Sequence, residues 1–210
     1  ASGNPSPFTA YGVYCAIKAS VKHKLRRERL DGLTVAIQGI GETGGRLAEL
    51  LKKDHCRIIA SDINPDHVAA LGRKIDFDLV QPEEILGVAC DIFAPCAFGG
   101  ILNSRTIPGL LCQIVAGSAN NQLQTEEDGA LLYRRGILYA PDYAANAGGV
   151  INISCEIGQP YDEKQAMRRT EGIETTLLEI YKLSDRQKRP TNLVANGLAE
   201  ELFGMGTLVC

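Results

Sequence analysis

Three glycines have the spacing in this sequence that most clearly implies chemistry. Gly39, Gly41 and Gly44 form G-x-G-x-x-G within TVAIQGIGETGGRLAELL. In a dinucleotide-binding turn the first glycine permits the tight strand-to-helix bend. The second leaves the backbone open to a pyrophosphate, and the third lets helix and strand pack closely. Ile40, Glu42 and Thr43 complete the loop, and a helix starting near Glu42 offers unpaired N–H groups and the positive end of its dipole to phosphate. A glycine-rich turn alone is a weak signal, and its context sharpens it. Asp62 follows about twenty residues after the first glycine, at the end of a second strand-like run, with Ile63 beside it. A carboxylate there accepts hydrogen bonds from ribose hydroxyls and repels a 2′-phosphate, which favours NAD over NADP. The plain alternative is a structural turn, with Asp62 capping a helix that starts at Pro65. Glu42 is discordant: it suits a helix N-terminus but repels phosphate if it points inward, so it is expected to face solvent.

These residues need elements to hold them. Helical spacing is read over residues 8–25, with Tyr11, Val13, Tyr14, Ile17 and Val21 as apolar members, and Asp31-Gly32 breaks the pattern. Short β-branched or apolar runs at 33–38, 57–61, 91–94, 113–116 and 137–140 read as strands. Helical patterns at 42–53, 65–74 and 125–135 alternate with them, the last capped by Thr125 with Asp128 three residues on. From 146 to 203 the pattern is helical, with long runs at 161–183 and 192–203 separated by residues 186–190, and the tail at 204–210 reads as loose or truncated. Alternation of this kind predicts an α/β fold, a Rossmann-type doubly wound and mostly parallel sheet. The expected organisation is a linking segment and helix at 1–30, a dinucleotide-binding domain at 31–160 and a helical C-terminal extension at 161–210.

Composition excludes several function classes. The chain has 210 residues, 45% of them hydrophobic and 22% charged, and a net charge of −3. It is globular in composition, and its acidic balance argues against a main role on nucleic acid or a membrane surface. KHKLRRER, at 22–29, reads as a solvated basic helix end rather than a nucleic-acid patch, because no aromatic residues interleave it. The cysteines Cys15, Cys56, Cys90, Cys96, Cys112, Cys155 and Cys210 are odd in number and form no C-x-x-C pair. That spacing predicts free thiols and a cytoplasmic location. His23, His55 and His67 lie too far apart for metal-ligand spacing, so no metal is expected. No apolar stretch is long enough to span a bilayer, and the N-terminus lacks the pattern of a secretion signal.

Six stretches, in order, give a stronger signal than the glycines alone: GNPSPFTAYGV (3–13), the glycine loop, SDIN (61–64), CDIFAPCAFGG (90–100), VAGSANNQL (115–123) and APDYAANAGGVIN (140–152). Through them the chain resembles the cofactor-binding half of the glutamate, leucine, phenylalanine and valine dehydrogenases. The resemblance implies NAD-dependent oxidative deamination of a branched-chain or other apolar L-amino acid to its 2-oxo acid. It also implies roles for residues outside the glycine loop. Thr9 would meet the nicotinamide carboxamide, and Cys96 and Ala97 would allow close approach of the adenosine-side ribose. Ala119, Asn120, Asn121 and Asn146 would complete the nicotinamide end. Asn121, Val150 and Ile153 would reach the substrate, and the two aliphatic side chains favour an aliphatic one.

Singly, each has a bland counterpart: Asn120 and Asn121 as turn residues, Val150 and Ile153 as core. Cys96 as a nucleophile lacks an activating histidine, and Asp142 and Glu156 read as a helix-start and a surface residue rather than a carboxylate pair. The family's two lysines and catalytic aspartate belong to a substrate domain that precedes the matching stretch. No G-G-G-K-like run occurs here, so the chain is expected to have no catalytic acid–base pair and little activity alone. Its substrate would then be bound through a missing N-terminal domain, with homo-oligomerisation a further expectation. The competing expectation is a non-catalytic NAD-binding sensor or interaction module.

Overall fold

The computed structural model describes residues 3–157 and 160–206, without the side chains at 203, 205 and 206. Its centre is a six-stranded sheet of β1 (Thr34–Gln38), β2 (Arg57–Ser61), β3 (Asp78–Leu79), β4 (Ile92–Pro95), β5 (Ile114–Val115) and β6 (Leu138–Tyr139). The strand order is β3-β2-β1-β4-β5-β6, and every pairing is parallel. The sheet is therefore wholly rather than mostly parallel. β3 has no counterpart among the sequence-read strands: it is two exposed residues on the sheet edge, too short to show a period. The other strands are the expected runs, trimmed at their ends.

The inner strands are apolar throughout because each faces a core on both sides. Val35 and Ile37 of β1, Ile58 and Ala60 of β2, and Ile92 and Ala94 of β4 join one cluster. The intervening Ala36, Ile59 and Phe93 join the other. On the first face lie α1 (Ser6–Lys24), α2 (Glu42–Lys53) and α3 (Pro65–Gly72). The second face is covered by α4 (Glu126–Arg134) and by two single helical turns, Ile85–Gly87 and Ile107–Gly109, which bury Ile85 and Ile107. The Thr125–Asp128 capping box at α4 is present, with the Thr125 N–H donating to Asp128 Oδ2 at 2.9 Å.

α1 is more buried than its aromatic and branched residues indicate. Ala10, Ala16, Ala19, Cys15 and Ser20 are buried too, and these small residues let neighbouring helices approach closely. A Cβ at Gly12 would lie 2.8 Å from Ile173 Cδ1 of α7 (Glu163–Gln187). Ser20 and Tyr181 hydrogen-bond across the same contact at 2.7 Å, both buried. α7 opens on the Asp162 cap, whose side chain accepts the Lys164 N–H at 2.9 Å, and ends at Lys188, which has φ 53°. α8 (Thr191–Gly206) follows Pro190, so the expected interruption is a helix boundary. Residues 204–206 of the tail are helical, and 207–210 lie outside the described residues.

Candidate functional site

A parallel sheet carries every strand's carboxyl end to one edge. In this strand order the direction of winding reverses between β1 and β4, and the crevice there is where such sheets take ligands. Gly39 follows β1 with φ +85°, a conformation side chains rarely adopt. Its N–H donates to Ser61 O at 2.8 Å, which ties the loop to β2. A Cβ on Gly39 would lie 2.6 Å from the Cβ of Ala97, just beyond β4. A Cβ on Gly44 would lie 2.0 Å from Gly39 O, so only glycine lets α2 sit this close to the loop. Glu42 begins α2 and Thr43 follows it, and the first-turn amides of a helix have no acceptor within the helix. The Glu42 side chain is 71% exposed and lies 3.4 Å from Arg46, so it faces solvent.

Between these elements lies a cleft of about 250 Å³, lined by Gln38, Gly39, Gly41, Asp62, Ile63, His67, Cys96, Ala97 and Phe98 among others. Ile63 and Phe98 are largely exposed apolar groups on its rim. The sequence-read residues on three separate loops thus meet in one place. Asp62 has a side chain only 9% exposed. Its Oδ2 accepts the Ile40 N–H at 2.7 Å, and its Oδ1 accepts the Asn64 N–H at 2.8 Å. Burial works against the charged carboxylate, but these two N–H bonds and the neighbouring His67 outweigh it and hold the carboxyl below the usual range. The cap of α3 is Asn64, whose Oδ1 accepts the Asp66 N–H at 2.9 Å. Asp62 is aimed at the glycine loop instead. Burial pushes the Cys96 thiol up, which argues against a nucleophilic role.

The remaining candidates gather further along the same edge. Ala119 is buried, and its N–H donates to Pro95 O at 3.0 Å. Asn121 has φ 52°, and its carbonyl accepts the Gly100 N–H at 2.7 Å. Asn146 Nδ2 donates to Asn120 Oδ1 at 2.7 Å, which fastens the loop after β5 to the segment between α5 (Asp142–Ala145) and α6 (Gly148–Ser154). α6 packs on the start of α1: a Cβ on Gly148 would lie 2.0 Å from Phe8 O, and one on Gly149 would lie 2.7 Å from Thr9 Oγ1. Val150 and Ile153 are 72% and 52% exposed, so neither is core, and the described residues do not close a pocket around them.

Sequence reasoning passed over two residues in the cleft. His67 was weighed only as a metal ligand, yet its Nδ1 lies 3.2 Å from Asp62 Oδ2. Its place on the first turn of the helix after the acid was the available signal. Gln38 lines the cleft, and its Oε1 is buried without a partner among the described residues. Within the basic run at 22–29, Lys22 pairs with Glu28 at 3.0 Å and Arg29 with Asp31 at 3.0 Å. Among the described residues, no cluster of His, Cys, Asp and Glu could hold a metal ion, and no helix is long and apolar enough to cross a membrane.

Comparison with known proteins bears on this edge. Residues 64–195 match the family described as Glutamate/Leucine/Phenylalanine/Valine dehydrogenase. The chain is 44% identical over 204 residues to a leucine dehydrogenase of Thermoactinomyces intermedius, covering 97% of this chain and 56% of that protein. It is 45% identical over 202 residues to an L-tryptophan dehydrogenase of Nostoc punctiforme, covering 95% and 57%. The crystal structure of L-tryptophan dehydrogenase from Nostoc punctiforme superposes with a TM-score of 0.91 at 44% identity, over 95% of this chain and 61% of that one. A glutamate dehydrogenase of Thermus thermophilus shares the fold at 21% identity and a TM-score of 0.73, over 93% and 51%. The chain spans about half the length of the curated relatives it matches.

Proposed function

Because this chain belongs to the Glutamate/Leucine/Phenylalanine/Valine dehydrogenase family, we propose that its switch-point cleft binds NAD and that it is the cofactor-binding part of an enzyme oxidising an apolar L-amino acid to its 2-oxo acid. The observation that carries this reading is the meeting of Gly39, Gly41 and a nearly buried Asp62 carboxylate in one cleft at the strand reversal. The residues fit the cofactor. Gly39 and Gly41 leave the floor of the cleft without side chains, and Gln38 Oε1 is an acceptor in its wall with no partner among the described residues.

NAD supplies a nicotinamide ring that accepts a hydride, and this chain's residues bind and orient it. A carboxylate has about four lone-pair sites, and Asp62 uses three of them on Ile40, Asn64 and His67, which leaves capacity for a ribose hydroxyl. The same charge disfavours a 2′-phosphate. The first-turn amides of α2 receive the pyrophosphate. Thr9, Ala119, Asn120, Asn121 and Asn146 lie toward the nicotinamide end, and the Asn146–Asn120 bond fixes one of its amides. Val150 and Ile153 present apolar surface to the substrate side chain. Two aliphatic groups favour an aliphatic substrate, and the relatives named leucine dehydrogenase and L-tryptophan dehydrogenase bracket the apolar range.

Titration with NADH and then NADPH, followed by the ligands' own fluorescence, tests the cofactor. The protein has no tryptophan to interfere. Saturable NADH binding with much weaker NADPH binding is expected, and absence of binding by either would overturn the reading. No lysine lines the cleft among the described residues, so NAD reduction by this chain alone with leucine is expected to be undetectable.

A further inference from the structure

Two clefts flank the glycine loop, and His67 and Gly41 are the residues that line both. His67 stands on the first turn of α3, with Nδ1 3.2 Å from Asp62 Oδ2 and Cε1 3.4 Å from where a Cβ on Gly41 would lie. Its side chain is 44% exposed. An ionised carboxylate only accepts, so Nδ1 holds the proton toward Asp62 and Nε2 is left out of that bond. Neutral, Nε2 presents a lone pair; protonated, it presents an N–H.

The charged groups of the second cleft are already matched. Arg46 pairs with Glu42 at 3.4 Å on α2, and Lys74, beyond α3, pairs with Glu49 at 2.7 Å. Asp66 is the neighbour of His67 on α3 itself, and Cys96 faces from just beyond β4 with a thiol that burial keeps protonated. His67 is therefore the basic side chain in these clefts that faces Asp62 outside any Arg or Lys pair.

We propose that His67 sets how strictly the cleft separates NADH from NADPH. Neutral, its Nε2 lone pair adds to the repulsion that Asp62 exerts on a 2′-phosphate. Protonated, it offsets the Asp62 charge and gives the phosphate a donor. The proposal rests on the cofactor reading above. Asp62 contributes a constant charge, because its carboxyl is held below the usual range and stays ionised from about pH 5.5 to about pH 8.5.

The test is the ratio of NADH to NADPH affinity, measured on the whole chain at about pH 8.5 and about pH 5.5. In the wild type the preference for NADH is expected to shrink roughly fivefold on acidification, the size of one half-exposed charge-assisted contact. His67→Gln keeps a donor for Asp62 and cannot charge. It should show only the smaller change that comes from the phosphate's own ionisation near pH 6. His67→Arg should hold the preference low at both pH values. An identical pH dependence in wild type and His67→Gln, or an unchanged preference in His67→Arg, would overturn the role of His67 while leaving the NAD site standing. Binding of neither nucleotide to the wild type would overturn both.

Discussion

The glycine-loop cleft and the outer face of α6 follow strand ends on one edge of the same sheet, yet they are finished differently. At the glycine loop the chain's own bonds hold the acid and the turn. Asp62 is fixed by Ile40 and Asn64, and the loop by Ser61. On α6, Gly148 and Gly149 dock the inner side tightly on α1, while Val150 and Ile153 stand in solvent, with Ile157 exposed just beyond. Exposed apolar rows of this kind mark surfaces that meet something else. The proposed cofactor cleft is thus shaped by the chain's own bonds, whereas the α6 face proposed to meet the substrate is backed but uncovered.

The contrast can be broken at its strongest point first. Gly44→Ala puts a Cβ 2.0 Å from the Gly39 carbonyl, which neither backbone can avoid without moving α2. Overpacking of this kind should cost about 3 kcal/mol and weaken NADH binding at least about a hundredfold, read by urea unfolding and by titration. Gly148→Ala makes the same test on the other region, against Phe8 O at 2.0 Å. It should destabilise by about 2–3 kcal/mol yet weaken NADH binding clearly less than Gly44→Ala, since the glycine loop is untouched and only the Thr9 and Asn146 end is strained. If both substitutions abolish binding equally, the proposed cofactor cleft is not shaped by its own bonds alone.

Asp62→Asn sharpens the comparison with a smaller effect. Loss of the charge-assisted bonds from Ile40 and Asn64 should cost about 1–2 kcal/mol at neutral pH, with NADH affinity down about tenfold. The sign with pH follows from the lowered carboxyl. The stabilisation is full above the unfolded-chain value of about 4 and is lost as pH falls through the lower folded value. Wild type and Asp62→Asn should therefore converge in stability as the pH is lowered below about 4, and a gap that stays constant with pH would contradict the assignment. The smallest effect on stability is expected from Val150→Ser with Ile153→Ser, within about 0.5 kcal/mol because both side chains are exposed. The same pair should reduce self-association in sedimentation, and an unchanged sedimentation profile would deny that this face is sticky.

Much of the cleft was legible because its signals are local. G-x-G-x-x-G, the runs on either side of it and the acid beyond the second strand are each encoded within a few residues. The inner strands showed themselves as apolar runs for the same reason. The second face was not legible. Short turns burying Ile85 and Ile107, rather than long helices, leave no period to detect. α1 concealed its burial behind alanines and a glycine, which carry little hydropathy but allow close packing.

The sequence by itself therefore determined the order of the main strands and helices, β3 excepted, the turn at Gly39 and the residue types able to hold a dinucleotide, since propensity and spacing act over short range. Only the tertiary structure decided that Asp62 bonds to Ile40 rather than capping α3, that His67 stands against it, and that Val150 and Ile153 remain uncovered. Those outcomes depend on which carboxyl ends a parallel sheet brings to one edge and on how closely backbones approach there. Both are set by packing between segments far apart in the chain.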